Sequence, residues 1–111
     1  MSAYFLIRRN DSASQPYHFV LVAPNNQVIL LSENYSTKQG ALNGIASVQE
    51  NCPYDSQYER KMTSNRQYMF NLRARNGQVI GTSEFYTTEA SRENGISSVK
   101  RNGTTTDIRE E

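Results

Sequence analysis

Residues 94–102, Asn-Gly-Ile-Ser-Ser-Val-Lys-Arg-Asn, nearly repeat residues 43–51, Asn-Gly-Ile-Ala-Ser-Val-Gln-Glu-Asn, 51 positions upstream. The likeness runs further. Residues 68–102 align on residues 17–51 without a gap, and 18 of the 35 pairs are identical. A chain of 111 residues carrying one pattern twice builds its fold from two like units. At first the identities alternate: Tyr17, Phe19, Leu21 and Ala23 match Tyr68, Phe70, Leu72 and Ala74, while the residues between them mostly differ. Holding every second position is the period of a strand with one buried face.

Asn25-Asn26 and Asn76-Gly77 follow, both suited to positive φ, and then Gln-Val-Ile at 27–29 and 78–80. The pattern predicts a hairpin in each unit, closed by a two-residue turn. That register sets Ala74 opposite Val79, Leu72 opposite Gly81, Val22 opposite Ile29 and Val20 opposite Leu31. Ser-Glu-x-Tyr ends each hairpin, at 32–35 and 83–86. The period then becomes helical. Thr37 and Thr88 are suited to N-capping, and the helices are expected at about Lys38–Glu50 and Glu89–Arg101. Ala41, Ile45 and Val48 form one apolar stripe; its second copy reads Arg92, Ile96 and Val99. Beside it runs a stripe of small residues (Gly40, Gly44, Ser47, Asn51; Ser91, Gly95, Ser98, Asn102). A mid-helix glycine costs about 1 kcal/mol against alanine, so Gly44 and Gly95 imply close packing against the sheet or the twin helix. Further strands are expected at Tyr4–Arg8, Tyr58–Met62 and Thr104–Arg109.

Bulk properties narrow the function. The 12 basic and 11 acidic residues nearly cancel, which argues against a surface that tracks phosphates. Cys52 is the lone cysteine, so neither an internal disulfide nor a cysteine metal cluster is available. The opening residues lack the basic and apolar regions of a signal peptide, and no apolar run reaches the ~20 residues of a membrane span. A cytoplasmic location is the expectation.

The stretch from Asn76 to Gly103, N-G-Q-V-I-G-T-S-E-F-Y-T-T-E-A-S-R-E-N-G-I-S-S-V-K-R-N-G, resembles the signature of the YegP-like family of uncharacterised bacterial proteins. The first unit departs from it at Asn26 and at Gly40-Ala41-Leu42. The resemblance implies an α+β fold of two β-β-β-α-β repeats, forming one antiparallel sheet with two helices packed on one face. The repeats would be pseudo-two-fold symmetric, with their terminal strands exchanged. Family members with a single unit would reach this arrangement as dimers, so the tandem chain resembles a fused dimer. It would be a single domain, 1–111, with repeats at about 1–55 and 56–111. The resemblance brings no established activity and no cofactor.

Each candidate site has a structural reading beside the functional one. His18, the only histidine, falls on the outer strand face without a partner that would make it a base or ligand. Cys52 sits at a helix C-terminus, the wrong pole for a thiolate. Ser and Glu adjacent on a strand point to opposite faces, so Ser-Glu-x-Tyr reads as a motif delivering Tyr35 and Tyr86 to the helix–sheet seam. Tyrosines near Arg60, Lys61, Arg66, Arg73 and Arg75 invite a nucleic-acid reading, but Tyr17 and Tyr68 belong to the helix-covered face. No catalytic or metal residues are assigned. The outer sheet face of the first repeat, Val20, Val22, Ile29 and Leu31, is a candidate interaction surface.

The leading expectation is a non-enzymatic interaction or structural module with an unspecified protein partner, no membrane partner and no nucleic acid. It would be a monomer, or a weak homodimer through the apolar face. The alternative is a binder of a small ligand or peptide in the seam between repeats, framed by Glu33, Tyr35, Glu84 and Tyr86. An enzyme is the third reading. A polar cavity between the repeats, lined by Glu33 and Glu84 with inward carboxylates, favours the second or the third; a filled seam with a bare apolar sheet face favours the first.

Overall fold

The computed structural model of the protein describes residues 2–111. Seven strands form one sheet: β1 Tyr4–Arg9, β2 Tyr17–Val22, β3 Val28–Ser32, β4 Tyr58–Met62, β5 Tyr68–Arg73, β6 Val79–Thr82 and β7 Ile108–Glu110. Helices α1, Lys38–Asn51, and α2, Glu89–Asn102, follow β3 and β6. The spatial order is β4-β5-β6-β3-β2-β1-β7. Thr37 caps α1 by accepting the Gly40 N–H at 2.9 Å, and Thr88 caps α2 by accepting that of Ser91 at 3.0 Å.

The repeats meet where β3 pairs antiparallel with β6, with Leu31 opposite Thr82. Those two residues are 51 apart, so the pseudo-two-fold axis passes between them. α1 lies over β2 of its own repeat and over β5 and β6 of the other; α2 lies over β5 and, across the seam, β3. One core of Phe5, Phe19, Leu21, Leu30, Ile45 and Val48 from the first half and Phe70, Leu72, Ile96 and Val99 from the second joins the layers. Each repeat thus covers part of the other's sheet, which neither could bury alone.

The sheet is mixed rather than wholly antiparallel. β4 follows α1 and pairs antiparallel with β5, and the matching place beside β2 is already held by β1. The strand after α2 therefore adds outside β1. It keeps the direction that symmetry dictates, antiparallel to β2 and so parallel to β1, with Phe5 opposite Ile108 and Ile7 opposite Glu110.

The hairpin turns differ from the sequence expectation in an instructive way. Ala23 accepts from the Asn26 N–H at 2.9 Å and donates to the Gln27 carbonyl at 2.9 Å, so three residues form the loop. Pro24 fits the second position of a type I turn, and Asn26, at φ 72°, takes the left-handed position that Gly77 takes at φ 85° in the second hairpin. This extra loop residue shifts the pairing by one. A bulge then shifts it back: Val22 pairs with Val28, not Ile29, while Leu21 pairs with Leu30 and Val20 with Leu31. The bulge turns Ile29 into the helix-covered core, and the same event sends Ile80 there in the second repeat.

Candidate ligand groove at the seam between repeats

Ser-Glu-x-Tyr resolves into three separate jobs. As β3 leaves the sheet, the Phe19 N–H would lose its acceptor; the Ser32 hydroxyl accepts it at 2.8 Å and donates to the Glu33 carbonyl at 2.7 Å. Ser83 does the same for Phe70, at 2.9 and 2.7 Å. A buried backbone donor is thereby satisfied by a side chain. The chain then returns, and Tyr35 and Tyr86 pair with Tyr17 and Tyr68 through reciprocal main-chain hydrogen bonds of 2.7–3.0 Å. Glu33 and Glu84 are left exposed between these anchors.

The returning tyrosines explain the helix glycines. A Cβ on Gly44 would stand 2.8 Å from the Tyr35 ring carbon Cζ and 2.9 Å from Phe19; on Gly95 it would stand 2.7 Å from Tyr86 Cζ. The close approach inferred from the sequence is therefore that of a tyrosine ring, not of bare sheet or the twin helix. Tyr35 is locked: it stacks on Phe19 with centroids 6.2 Å apart and planes 13° apart. Burial raises the pKa of both hydroxyls, and Glu33 and Glu84 add to the rise for Tyr35 and Tyr86 respectively, so both remain neutral donors near pH 7.

Tyr86 has a second surroundings. It lines a groove of about 370 Å³ together with Glu84 and the first repeat's Gln27, Val28 and Ile29. An adjoining groove of about 260 Å³ shares Gln27, Ile29 and Tyr86 and is closed by Ser91, Asn94, Gly95 and Ser98 of α2 with Ala23 and Asn25. The turn of one repeat thus faces the helix start of the other. The small-residue stripe of α2 forms the floor, and the bulge that redirects Ile29 supplies an apolar wall. Of the four seam residues expected from the sequence, Glu84 and Tyr86 line these grooves, Tyr35 packs on Phe19 and Gly44, and Glu33 is exposed. The contributions of Gln27, Asn94 and Ser98 were not foreseen; the small-residue stripe was a signal for Ser98 alone.

The proposed outer apolar patch does not survive as a bare surface. Ile29 faces the other way, and Val20 and Val22 are only 1% and 4% exposed, flanked in register by Leu6 and Leu31 and by Tyr4 and Val28. Leu31 is half-buried. Cross-strand neighbours on a twisted sheet cover these side chains, which is why alternation alone overstated their exposure. Cys52 is fully buried, and burial raises its thiol pKa to about 11, so it is not a reactive thiolate. His18 sits on the outer face opposite Arg8. Arg60 and Arg73 are engaged by Glu93 and Asp55 and by Glu59, which neutralises part of the basic set.

Residues 12–59 and 64–110 each match the domain of unknown function DUF1508. A UPF0339 protein of Acinetobacter baylyi is 54% identical over 110 residues, spanning 99% of this chain and 97% of its own. The UPF0339 protein YegP of Escherichia coli K12 is 44% identical over 110 residues, spanning 99% and 98%. The chain belongs to this YegP-like family. The solution NMR structure of the Shewanella oneidensis UPF0339 protein superposes with a TM-score of 0.90 at 44% identity, covering 99% of this chain and 92% of that one. The solution structure of E. coli YegP, a protein of unknown function, gives the same TM-score and identity, covering 99% and 93%. The YegP-like family is uncharacterised, and no enzymatic activity comes with the resemblance. No helix among the described residues is long and apolar enough to cross a membrane.

Proposed function

We propose that this protein is a non-enzymatic binding module that takes a small amine-bearing ligand, or the amino end of a short peptide, in the seam groove. The observation carrying this reading is that Glu84 and Tyr86 of one repeat and Gln27–Ile29 of the other line one open concavity. Its size is at the lower end of the ~300–1,000 Å³ typical of small-molecule sites. Glu84 offers a carboxylate to a cation, and Gln27, Asn25, Ser91, Asn94 and Ser98 offer hydrogen bonds next to an Ile29–Tyr86 wall. A chemical role is a poorer match, because the groove pairs its one carboxylate with a phenol whose proton is held tightly, not with a base or nucleophile.

Protein-observed NMR with a panel of small amines and dipeptides tests the reading. Shifts clustering on Gln27–Ile29, Glu84–Tyr86 and Ser91–Ser98, and lost in a variant that fills the groove by Gln27→Trp, at an exposed position lining both concavities, support it. Probes that bind only elsewhere, or that bind the filled variant equally well, overturn it.

A further inference from the structure

The two ends of the sheet are unequal. β1 carries β7 on its outer side, whereas no strand among the described residues pairs with the outer side of β4. The geometry points to the β4 edge as a docking site for an extended peptide segment of a partner protein, added parallel to β4 as β7 is added to β1.

β7 serves as the template. β1 and β4 are matched by their partners: Phe5 opposes Leu21 as Tyr58 opposes Leu72, and Arg8 opposes His18 as Lys61 opposes Met69. The Phe5 N–H points away from β2 and donates to the Asp107 carbonyl at 2.9 Å, and the Ile7 carbonyl accepts from Glu111 N–H at 3.0 Å. On β4 the first rung is already filled, because the Tyr58 N–H donates to the Asp55 carbonyl of the short 3-10 turn before it. Antiparallel alternation then directs the Tyr58 carbonyl and the Arg60 N–H and carbonyl outward, the groups a strand in β7's position would use. Arg60, Lys61 and Met62 are exposed along this edge.

Charge specifies the occupant. β7 is fastened by Lys38 of α1 to Glu110 at 2.6 Å and by Arg8 to Glu111 at 3.1 Å. The counterpart of Lys38, 51 positions on, is Glu89, which pairs with Arg92 at 3.4 Å yet keeps 71% of its side chain in solvent at the start of α2; the counterpart of Arg8 is Lys61. One charge is reversed and the other kept. The β4 edge therefore asks for a basic residue where β7 has Glu110 and an acidic one where it has Glu111, with an apolar residue preceding as Ile108 does. A second copy's β7 would set Glu110 against Glu89, so the same reversal disfavours self-addition at this edge. Charged residues on edge strands guard against indiscriminate pairing, and here their arrangement discriminates between strands.

Two synthetic peptides test this: Thr-Thr-Asp-Ile-Arg-Lys-Glu and Thr-Thr-Asp-Ile-Arg-Glu-Glu, titrated at millimolar concentration against the full chain by protein-observed NMR. The lysine peptide is expected to shift the Arg60 and Met62 amides, slow exchange of the Arg60 N–H, and bind about fivefold more tightly than the glutamate peptide. Glu89→Lys, at an exposed position whose one contact with the buried margin is its 3.4 Å pair with Arg92, is expected to invert that preference, and Glu89→Gln, which removes the charge alone, to abolish it. An unmoved Arg60 amide with both peptides overturns the proposal, as does a preference unchanged by Glu89→Lys or binding confined to the seam groove.

Discussion

Ile7, Ala41 and Leu42 in the first half stand where Arg60, Arg92 and Glu93 stand in the second. In the first half these side chains extend the apolar core to the sheet's margin. In the second, the Arg60 guanidinium bridges Asp55 at 2.9 Å and Glu93 at 3.0 Å, and Lys100 also reaches Asp55 at 2.8 Å. The Arg92 side chain, 8% exposed, lies 5.3 Å over the Tyr68 ring and binds Glu93 at 3.2 Å. One backbone thus tolerates either an apolar or an ionic margin. The symmetry breaks again at the axis, where Leu30 fills the space that Gly81, its counterpart, leaves open, and Cys52 fills the space left by Gly103. Two identical large residues cannot occupy one axial space, and the tandem chain settles this with one knob and one hole. The difference teaches that the halves have become complementary rather than interchangeable.

The axial contact is the place where the comparison breaks most sharply. A Cβ on Gly81 would lie 2.7 Å from Leu30 Cγ. Gly81→Leu is expected to destabilise by about 3 kcal/mol or more in urea unfolding, with the companion change Leu30→Gly restoring much of the loss by exchanging knob and hole. Additive costs in the double variant would dismiss the complementarity.

Next in size is the contrast between the two helix glycines. Gly44→Ala is expected to cost about 2–3 kcal/mol, because Tyr35 is pinned between Phe19 and the helix. Gly95→Ala should cost nearer ~1 kcal/mol, because Tyr86 borders the open groove and has somewhere to turn. Equal losses in thermal unfolding would remove the distinction between a filled and an open seam.

The ionic margin responds differently to partial and complete replacement. Arg92→Ala alone should lose about 1–2 kcal/mol, a discounted value because Glu93 and Glu89 remain partly in water. Arg60→Ile, Arg92→Ala and Glu93→Leu together recreate the first half's margin, and chemical denaturation should find the triple variant at least as stable as the parent.

The smallest expected effect is one of pH. Hydrogen bonds from Lys100 and Arg60 hold the Asp55 carboxyl at about 2, against an ordinary 3.8, and Glu93 is lowered chiefly by Arg60. A depressed folded-state pKa stabilises above the unfolded value, and that contribution is lost as pH falls through the folded one. Between about pH 4 and pH 2, hydrogen exchange should therefore quicken first around β4 and α2, with the apolar Ala41–Ile45 stretch of α1 in the other margin following later. Simultaneous loosening of both margins would contradict the assignment.

Much of the fold was legible because its signals are local. Alternation at Tyr17–Ala23 marks a strand and Thr37 and Thr88 mark helix starts, and the duplication reports each of these twice. What escaped was register. The residues Asn26 and Gly77 were read as favouring positive φ, but whether a loop holds two residues or three depends on where the bulge at Ile29 and Ile80 relieves the pairing. Since one residue of slip reverses a strand's faces, that undecided step moved Ile29 from the outer surface to the core. The groove was half legible: Glu84 and Tyr86 drew notice as a repeated motif, whereas Gln27, Asn94 and Ser98 come from separate segments that only folding brings together.

By itself, the order of amino acids determined that two like units share a core, because period, caps and turn residues act over a few neighbouring positions. Tertiary structure alone decided the parallel placement of β7, the pairing of Leu30 with Gly81, and which tyrosine is locked and which borders a groove. Those outcomes depend on space left by residues 51 positions away, and chain sequence carries no measure of volume at that range.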